Sequence, residues 1–433
     1  MQGNINKTFL AGILPSPEVM NQCIHCGLCL AVCPTYDITK MERSSPRGRI
    51  QLIKSVANGE SEISNIFVEE MNFCLDCQAC ETSCPAGVKY GRLVESARDL
   101  INGDYKHKSF PDNLKSFFLK NILANPANLK LFSRILRFYQ KSFLKTLIEE
   151  RKILNPFSKN ISELSKLSPE VSETFSDELI PEMSNPGSEI LYKTAFHYGC
   201  IMNIAYADIN TDTVEVLNAY GCKVETPRNQ ACCGSLHAHN GDISIAVELA
   251  KKNIDKFENV NYDYLVSNSA GCGAFMKEYG ELLKADKVYS EKAKSFSGKV
   301  KDVTEFLYDK KPINGFNELN MSATYHEACH LVHSQKISEE PRRLLSQIPG
   351  LELKELEESN WCCGSAGIYN VTRFGDSMIF LERKMKKIEK TKVEIVITGN
   401  PGCINQLKYG SQKSVKKLKV LHPVTVIKLS LNQ

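Results

Sequence analysis

The chain of 433 residues contains no stretch of about 18 uninterrupted apolar residues, which leaves no segment to span a bilayer as a helix. Met1 to Pro15 lacks the charged head, long apolar core and small-residue cleavage site of a secretory signal. A large excess of one charge is also missing. The net charge is only +4, so composition gives no electrostatic footprint for nucleic acid, and no nucleic-acid partner is expected. Nor are the 17 cysteines dense enough for a disulfide-stapled secreted scaffold, because a chain of this size can bury its own core. These absences describe a cytoplasmic, reduced protein of about two to four domains that lies at most peripherally on the inner face of the membrane. No G-x-G-x-x-G run follows a strand pattern, and Gly271-Cys272-Gly273 is too short to serve, so no flavin is expected in this chain.

What is present is cysteine in two ordered strings. Cys23, Cys26, Cys29 and Cys33 precede Pro34, and Cys74, Cys77, Cys80 and Cys84 precede Pro85. Each reads C-x2-C-x2-C-x3-C-P, the spacing with which two-cluster bacterial ferredoxins hold a pair of 4Fe-4S cubanes. The first three cysteines of such a string wrap one cubane and the fourth ligates the other. The expected sets are therefore Cys23, Cys26, Cys29 and Cys84 for the first cluster, and Cys74, Cys77, Cys80 and Cys33 for the second. Structural zinc takes four ligands in one closed tetrahedron and does not match this interleaving.

Four regions follow from composition and pattern. Residues 1–105 form the two-cluster ferredoxin-type domain, with helices over Arg49 to Ala57 and Gly91 to Ile101. Residues 106–189 form a basic helical segment and linker. Its first part, Lys106 to Lys152, holds eleven Lys or Arg against three acids and is interrupted at Pro126. Phe117, Phe118, Phe132, Phe138, Tyr139 and Phe143 interleave with these cations, as at a membrane surface or partner contact. The plainer reading, which we prefer from sequence, packs these aromatics on the protein's own domains. From Ile153 to Glu189 the Asn, Ser, Pro and Glu content reads as a surface connection.

The remaining chain is an internal repeat, residues 190–312 and 318–433. His197-Tyr198-Gly199-Cys200 corresponds to His326-Glu327-Ala328-Cys329, Cys232-Cys233-Gly234-Ser235 to Cys362-Cys363-Gly364-Ser365, and Ser269-Ala270-Gly271-Cys272 to Asn400-Pro401-Gly402-Cys403. Strands are expected at Thr194 to His197, Lys223 to Thr226 and Tyr264 to Asn268, then at Ala323 to His326, Leu351 to Leu356 and Glu394 to Thr398. Helices at Ala207 to Tyr220 and Ile243 to Phe257 alternate with them, which implies parallel sheets. The fold class is thus α+β multidomain, a helical ferredoxin-like domain and helical linker followed by two α/β Cys-Cys-Gly domains. Their cysteines fall beyond strand ends, where open α/β sheets bind ligands.

Adjacent cysteines share one site only if the backbone turns between them, and the following glycine permits that turn. Each repeat therefore offers four thiols: Cys200, Cys232, Cys233 and Cys272 in the first, Cys329, Cys362, Cys363 and Cys403 in the second. Four converging thiols suit an iron–sulfur cluster or zinc. Cys222 has no counterpart and is expected to pack in the core. His326, Cys329, His330 and His333 have a spacing that would allow a zinc site on one helix face of the second repeat.

Cys23-Ile24-His25-Cys26-Gly27-Leu28-Cys29, Cys33-Pro34-Thr35-Tyr36 and Ser45-Pro46-Arg47-Gly48-Arg49-Ile50 together resemble the iron–sulfur subunit of bacterial glycolate oxidase. Cys80-Glu81-Thr82-Ser83-Cys84-Pro85 and Cys362-Cys363-Gly364-Ser365-Ala366-Gly367 are similar to the same family. The resemblance spans nearly the whole chain and is weakest between Lys106 and Glu189. Heterodisulfide reductase subunits and the anaerobic glycerol-3-phosphate dehydrogenase iron–sulfur subunit are broader relatives. Heterodisulfide reductase domains end their ligand set on Cys-x2-Cys, whereas here Phe275 follows Cys272 and Gln406 follows Cys403 at that spacing. The resemblance therefore implies one or two further electron-transfer 4Fe-4S clusters in the repeats, not a disulfide-cleaving centre. It implies a subunit of a glycolate dehydrogenase complex that is not catalytic alone. Its partner is an FAD-containing flavoprotein that oxidises glycolate to glyoxylate, with electrons passing towards a quinone. D-lactate, glycerol 3-phosphate or a heterodisulfide are the alternative substrates, and repeats that serve as a zinc-binding scaffold are the non-redox alternative. Arg47 and Arg49, beside the first cluster, either raise its potential by favouring the reduced form or serve only as a solvated helix cap.

Overall fold

The computed structural model describes residues 17–105, 110–149, 161–414 and 417–431. The amino-terminal unit is built of short helices between cysteine loops. Pro34 has no amide hydrogen to lose and opens the helix Pro34–Thr39, which left-handed Lys40 ends. Pro85 instead enters a turn, and the next helix starts at Tyr90 and runs to Asp104. Ser45 caps the helix Pro46–Ala57 by accepting from the Gly48 amide at 3.1 Å. Ile50, Ile53, Phe67, Met71, Leu93 and Val94 pack into one core that also takes in Cys74 and Cys80.

Among the described residues, nine strands form two sheets. The first contains β1 (Met183–Ser184), β2 (Tyr192–His197), β3 (Cys222–Glu225), β4 (Tyr264–Ser267) and β5 (Val300–Asp302) in the order β1-β3-β2-β4-β5. The second contains β6 (Met321–Tyr325), β7 (Leu351–Lys354), β8 (Ile395–Ile397) and β9 (Lys419–Leu421) in the order β7-β6-β8-β9. Every pairing is parallel except β1 with β3. Omitting β1, the two orders are the same, so the repeat read from cysteine spacing is also a repeat of topology. Helices Ala207–Ala219 and Ile243–Glu258 make the crossovers of the first copy.

Two segments differ from expectation. The stretch read as a surface connection supplies strand β1 and the helix Ile161–Leu167, and it buries Leu167, Val171, Phe175 and Ile180. Composition missed this because a few spaced apolar anchors suffice when neighbouring domains provide the receiving surface. The Ile153 to Asn160 part lies outside the described residues. Pro126 does interrupt the basic segment, as N1 of the helix Pro126–Lys141, with Asn125 capping it. The aromatics, however, are not all packed inward: Phe117, Phe138 and Phe143 are exposed.

The ferredoxin unit docks on the first repeat through the helix Tyr90–Asp104. Arg98 Nη1 donates to the His239 carbonyl at 2.7 Å, Asn102 Nδ2 to the Asn240 and Gly241 carbonyls at 2.7 and 2.8 Å, and Asp99 accepts from the Ile243 amide at 3.1 Å. Gly241 sits at φ +75°, and a Cβ there would lie 2.3 Å from the Arg98 carbonyl carbon. Gly241→Ala should therefore loosen the docking by roughly 2 kcal/mol, read as about thirtyfold faster hydrogen exchange in residues 95–102 and 238–243.

Candidate cluster sites

Cys23, Cys26, Cys29 and Cys84 line one small cavity together with Cys80, Ile50 and Arg47, so the fourth cysteine of the second string stands beside the first loop. Left-handed His25 and Gly27 turn that loop. Of all seventeen cysteines, Cys26 alone is exposed. Cys33 lies near Cys77 and Cys80 of the other string as well as Cys29 of its own. Burial is the main force raising the Cys77 and Cys80 thiols, and the sulfurs of Cys74 and Cys33 raise both further. Thiols crowded in this way release their protons to solvent when they ligate a cationic centre, whose charge offsets that of the buried thiolates. The donor sets fit a 4Fe-4S cubane each.

Arg47 and Arg49 separate. Arg47 stays near the surface, chelated by Glu42 at 2.6 and 3.0 Å, with Nη1 donating to the His25 carbonyl at 3.1 Å in the first loop. Arg49 is fully buried, donates to the Glu70 carbonyl at 2.7 Å and Thr35 Oγ1 at 3.0 Å, and feels Cys74 and Cys33. Its charge therefore belongs to the second set, not the first.

In the repeats, the four sulfurs of each copy form a chain. Cys200 Sγ lies 3.4 Å from Cys232 Sγ, Cys232 neighbours Cys233, and Cys233 neighbours Cys272. Cys329, Cys362, Cys363 and Cys403 repeat this order. The turn that brings adjacent cysteines to one site is made at Gly234 and Gly364, at φ +93° and +89°. A Cβ on Gly364 would lie 2.5 Å from the Ser377 carbonyl oxygen, so helix Phe374–Thr391 presses directly on the turn. Where a fifth cysteine would stand, Phe275 is buried in the core and Gln406 bonds Asn370 and Ser377.

Sequence treated the repeats as separate sites. Instead, all eight of their cysteines line one cavity of about 370 Å³ between the domains. Asn400 Oδ1 accepts from the Gly271 amide at 3.2 Å, and the Gly399 carbonyl from the Ala270 amide at 3.1 Å, which sets the two strand-end loops against each other.

The zinc set does not converge. His330 Nε2 donates to the Asp76 carbonyl at 2.9 Å and His333 Nδ1 shares a 3.1 Å hydrogen bond with Thr82 Oγ1, so both face the ferredoxin unit. The spacing implied one face of an α-helix, but His330–Ser334 is a wider π turn. His330 also lines the cavity of the repeat cysteines, and the His326 ring lies within 4.8 Å of the Cys363 and Cys403 sulfurs.

The ferredoxin unit and the second repeat meet at cysteine. Cys77 is close enough to Cys329 for that sulfur to raise it, and Leu75, Cys77 and Ala79 pack in one apolar cluster with Cys362, Tyr369 and Phe380. Beside this contact sits a buried ionic group that sequence did not single out. His239 Nδ1 lies 2.6 Å from Glu95 and 3.2 Å from Asp76. Burial alone would depress His239, but these two carboxylates outweigh it and hold its pKa up at about 10.

Lys384 was also missed. It is 1% exposed, donates to the Glu358 and Ser359 carbonyls, and makes no ion pair among the described residues. Burial pushes it down to about 8, against the charges of Cys363, Cys362 and Cys403. Gly234 packs on Ala246 as Gly364 packs on Ser377, which makes Asn253 the counterpart of Lys384. Asn253 is neutral and bonds the Ala231 amide and Cys232 carbonyl at 3.1 and 3.0 Å. The first repeat instead turns the His237 ring towards Cys232. A buried cation favours the more reduced, more negative state of a neighbouring centre. Lys384→Met should therefore lower the midpoint potential of one cluster by on the order of 50 mV in an EPR-monitored titration, while Lys384→Arg keeps it.

Comparison with known proteins supports these assignments of type. A family model described as "4Fe-4S dicluster domain" matches residues 19–88, and one described as "Cysteine-rich domain" matches 194–277 and again 323–408. The stretch where sequence resemblance was weakest matches its own model, "Glycolate oxidase iron-sulfur subunit, linker region", over 111–168. The chain is 36% identical to the probable glycolate oxidase iron-sulfur subunit of Bacillus subtilis, covering 92% of this chain and 90% of that one. It is 29% identical to the glycolate oxidase iron-sulfur subunit of Escherichia coli over 94% of each. Lactate utilization protein A of Halalkalibacterium halodurans is 32% identical over 54% of this chain. A hypothetical protein from Helicobacter pylori shares the fold at a TM-score of 0.56 and 8% identity, over 100% of this chain and 77% of that one. The dicluster domain and the two cysteine-rich domains make the protein a carrier of several 4Fe-4S clusters. On the extent of these matches, and on a linker particular to such subunits, the chain belongs to the glycolate oxidase iron–sulfur subunit family.

Proposed function

We propose that this chain carries electrons within a glycolate-oxidising complex, receiving them from a flavoprotein subunit and delivering them towards a quinone. The observation that carries the reading is the continuity of the cysteine sets. The first set opens to solvent at Cys26, the second lies behind it, Cys77 abuts Cys329, and the second repeat shares its cavity with the first. Clusters held there exchange single electrons with little rearrangement, at potentials set by charge, hydrogen bonding and exposure. The protein's own part is to hold the thiolates in that order, to exclude water by burial, and to place Arg49 and Lys384 where their charge favours reduction. Ile24 and Leu28, 67% and 57% exposed on either side of Cys26, give the flavoprotein an apolar contact at the one exposed cysteine. The ligand sets are Cys23, Cys26, Cys29, Cys84 and Cys74, Cys77, Cys80, Cys33 in the ferredoxin unit, with one set of four per repeat.

The isolated chain should show no turnover of glycolate with a dye acceptor, and activity should appear on co-expression with a flavoprotein of the complex. Turnover by the polypeptide alone would end this reading. The similarity to lactate utilization protein A favours a second substrate, lactate. Rates of the assembled complex with glycolate and with lactate separate the two.

A further inference from the structure

The basic linker leaves an apolar surface uncovered. Helix Pro126–Lys141 buries Leu129 and Ser133. At 3.6 residues per turn, Leu131, Ile135 and Phe138 fall on the opposite side, and they are 60%, 61% and 75% exposed. Phe143, 65% exposed, continues the apolar run beyond the helix end. A helix that is apolar on both sides and buried on one presents its other side to a second surface.

Charge identifies that surface. Between Asp112 and Glu149 the sequence has no acidic residue and seven basic ones. Five of the seven are lysine, a residue depleted from protein–protein interfaces but favoured with phenylalanine at anionic bilayers, although Lys120 and Lys130 pair with Asp242 and Asp177 of the protein itself. Arg134 and Lys141 flank the apolar stripe. Their pairings with Glu178 and Glu173 are solvent-exposed, so they are weak and can exchange for lipid phosphate. We infer that the face formed by Leu131, Ile135, Phe138 and Phe143, flanked by Arg134 and Lys141, docks this protein on an anionic membrane surface.

The buried side of the same segment seals the first repeat. Leu119, Leu123 and Leu129 pack with Ile204, Cys200 and Ile201, so about one helix diameter, some 10 Å, separates the docking face from that cysteine set. On the electron-transfer reading, this brings the last carrier to a lipid-soluble acceptor. The docking itself does not depend on that reading.

The test uses anaerobically purified, cluster-loaded protein floated with vesicles of phosphatidylcholine alone or mixed with phosphatidylglycerol. Binding should require the anionic lipid and weaken with salt. The variant Ile135→Gln/Phe138→Ser/Phe143→Ser should bind at least about tenfold less, with unchanged iron content and circular dichroism. Wild-type protein that stays with the unbound fraction, or a variant that floats as well as wild type, would overturn the inference. So would a variant that still floats but no longer co-purifies with its flavoprotein, because the face would then belong to a protein partner.

Discussion

Replacing Cys362 and Cys363 together with serine should remove about four irons per chain, a full cubane, and leave the ferredoxin-type clusters reducible. The expectation follows from position. Both sulfurs are buried at 3% and 2% exposure, they form the middle of the chain that links Cys329 to Cys403, and Gly364 at φ +89° turns them onto one site. Neither repeat has a fifth cysteine of its own to take their place, because Phe275 and Gln406 occupy the positions where it would stand. Delivery to the final acceptor should fall while reduction of the partner flavin by substrate is untouched. Iron and zinc analysis of the purified variant checks it. Retained iron with lost zinc would favour the scaffold alternative for the repeats.

The second large effect is expected from Cys33→Ser. Cys33 belongs by sequence to the first string, yet its sulfur raises Cys77 and Cys80 of the second as well as Cys29 of its own, and it is buried beside Thr35 Oγ1 at 3.3 Å. Its loss should abolish the EPR signal of the second ferredoxin-type cluster, at a cost of about four irons, and keep that of the first. Because Cys77 is the cysteine that meets Cys329, electrons supplied at the Cys26 face should then stop before the repeats. Loss of the first signal with the second retained would show that each string holds its own cluster.

Much of this site was legible because cysteine spacing encodes local geometry. A C-x2-C-x2-C loop fixes three sulfurs within one turn of backbone, and the same spacing twice implies the exchange of the fourth. The Cys-Cys-Gly turn was equally readable, since only glycine adopts the required left-handed backbone without strain. Strands β2, β3, β4, β6, β7 and β8 followed to within two residues from short apolar runs between amphipathic helices, whereas β1, β5 and β9 did not. What sequence did not show is how the units meet. Nothing in the repeat pattern says that the two strand-end loops face each other across one cavity, because that depends on contacts such as Asn400 with Gly271, 129 residues apart. Lys384 looks like one more lysine in a basic helix, and only its place one turn after Phe380 on the buried face reveals it. His239, Asp76 and Glu95 come from separate elements and pair only on docking. The linker aromatics misled for the opposite reason: amphipathic composition alone does not tell which apolar side is covered.

The central claim is that both cysteine sets of the ferredoxin unit and at least one of the two repeat sets hold iron–sulfur clusters in one continuous series. Iron, acid-labile sulfide and zinc per chain in anaerobically prepared protein test it most directly. The account predicts about 12 to 16 irons with matching sulfide, from three or four cubanes, and no stoichiometric zinc. About eight irons with one or two zinc ions would contradict it and confine electron transfer to the ferredoxin-type domain.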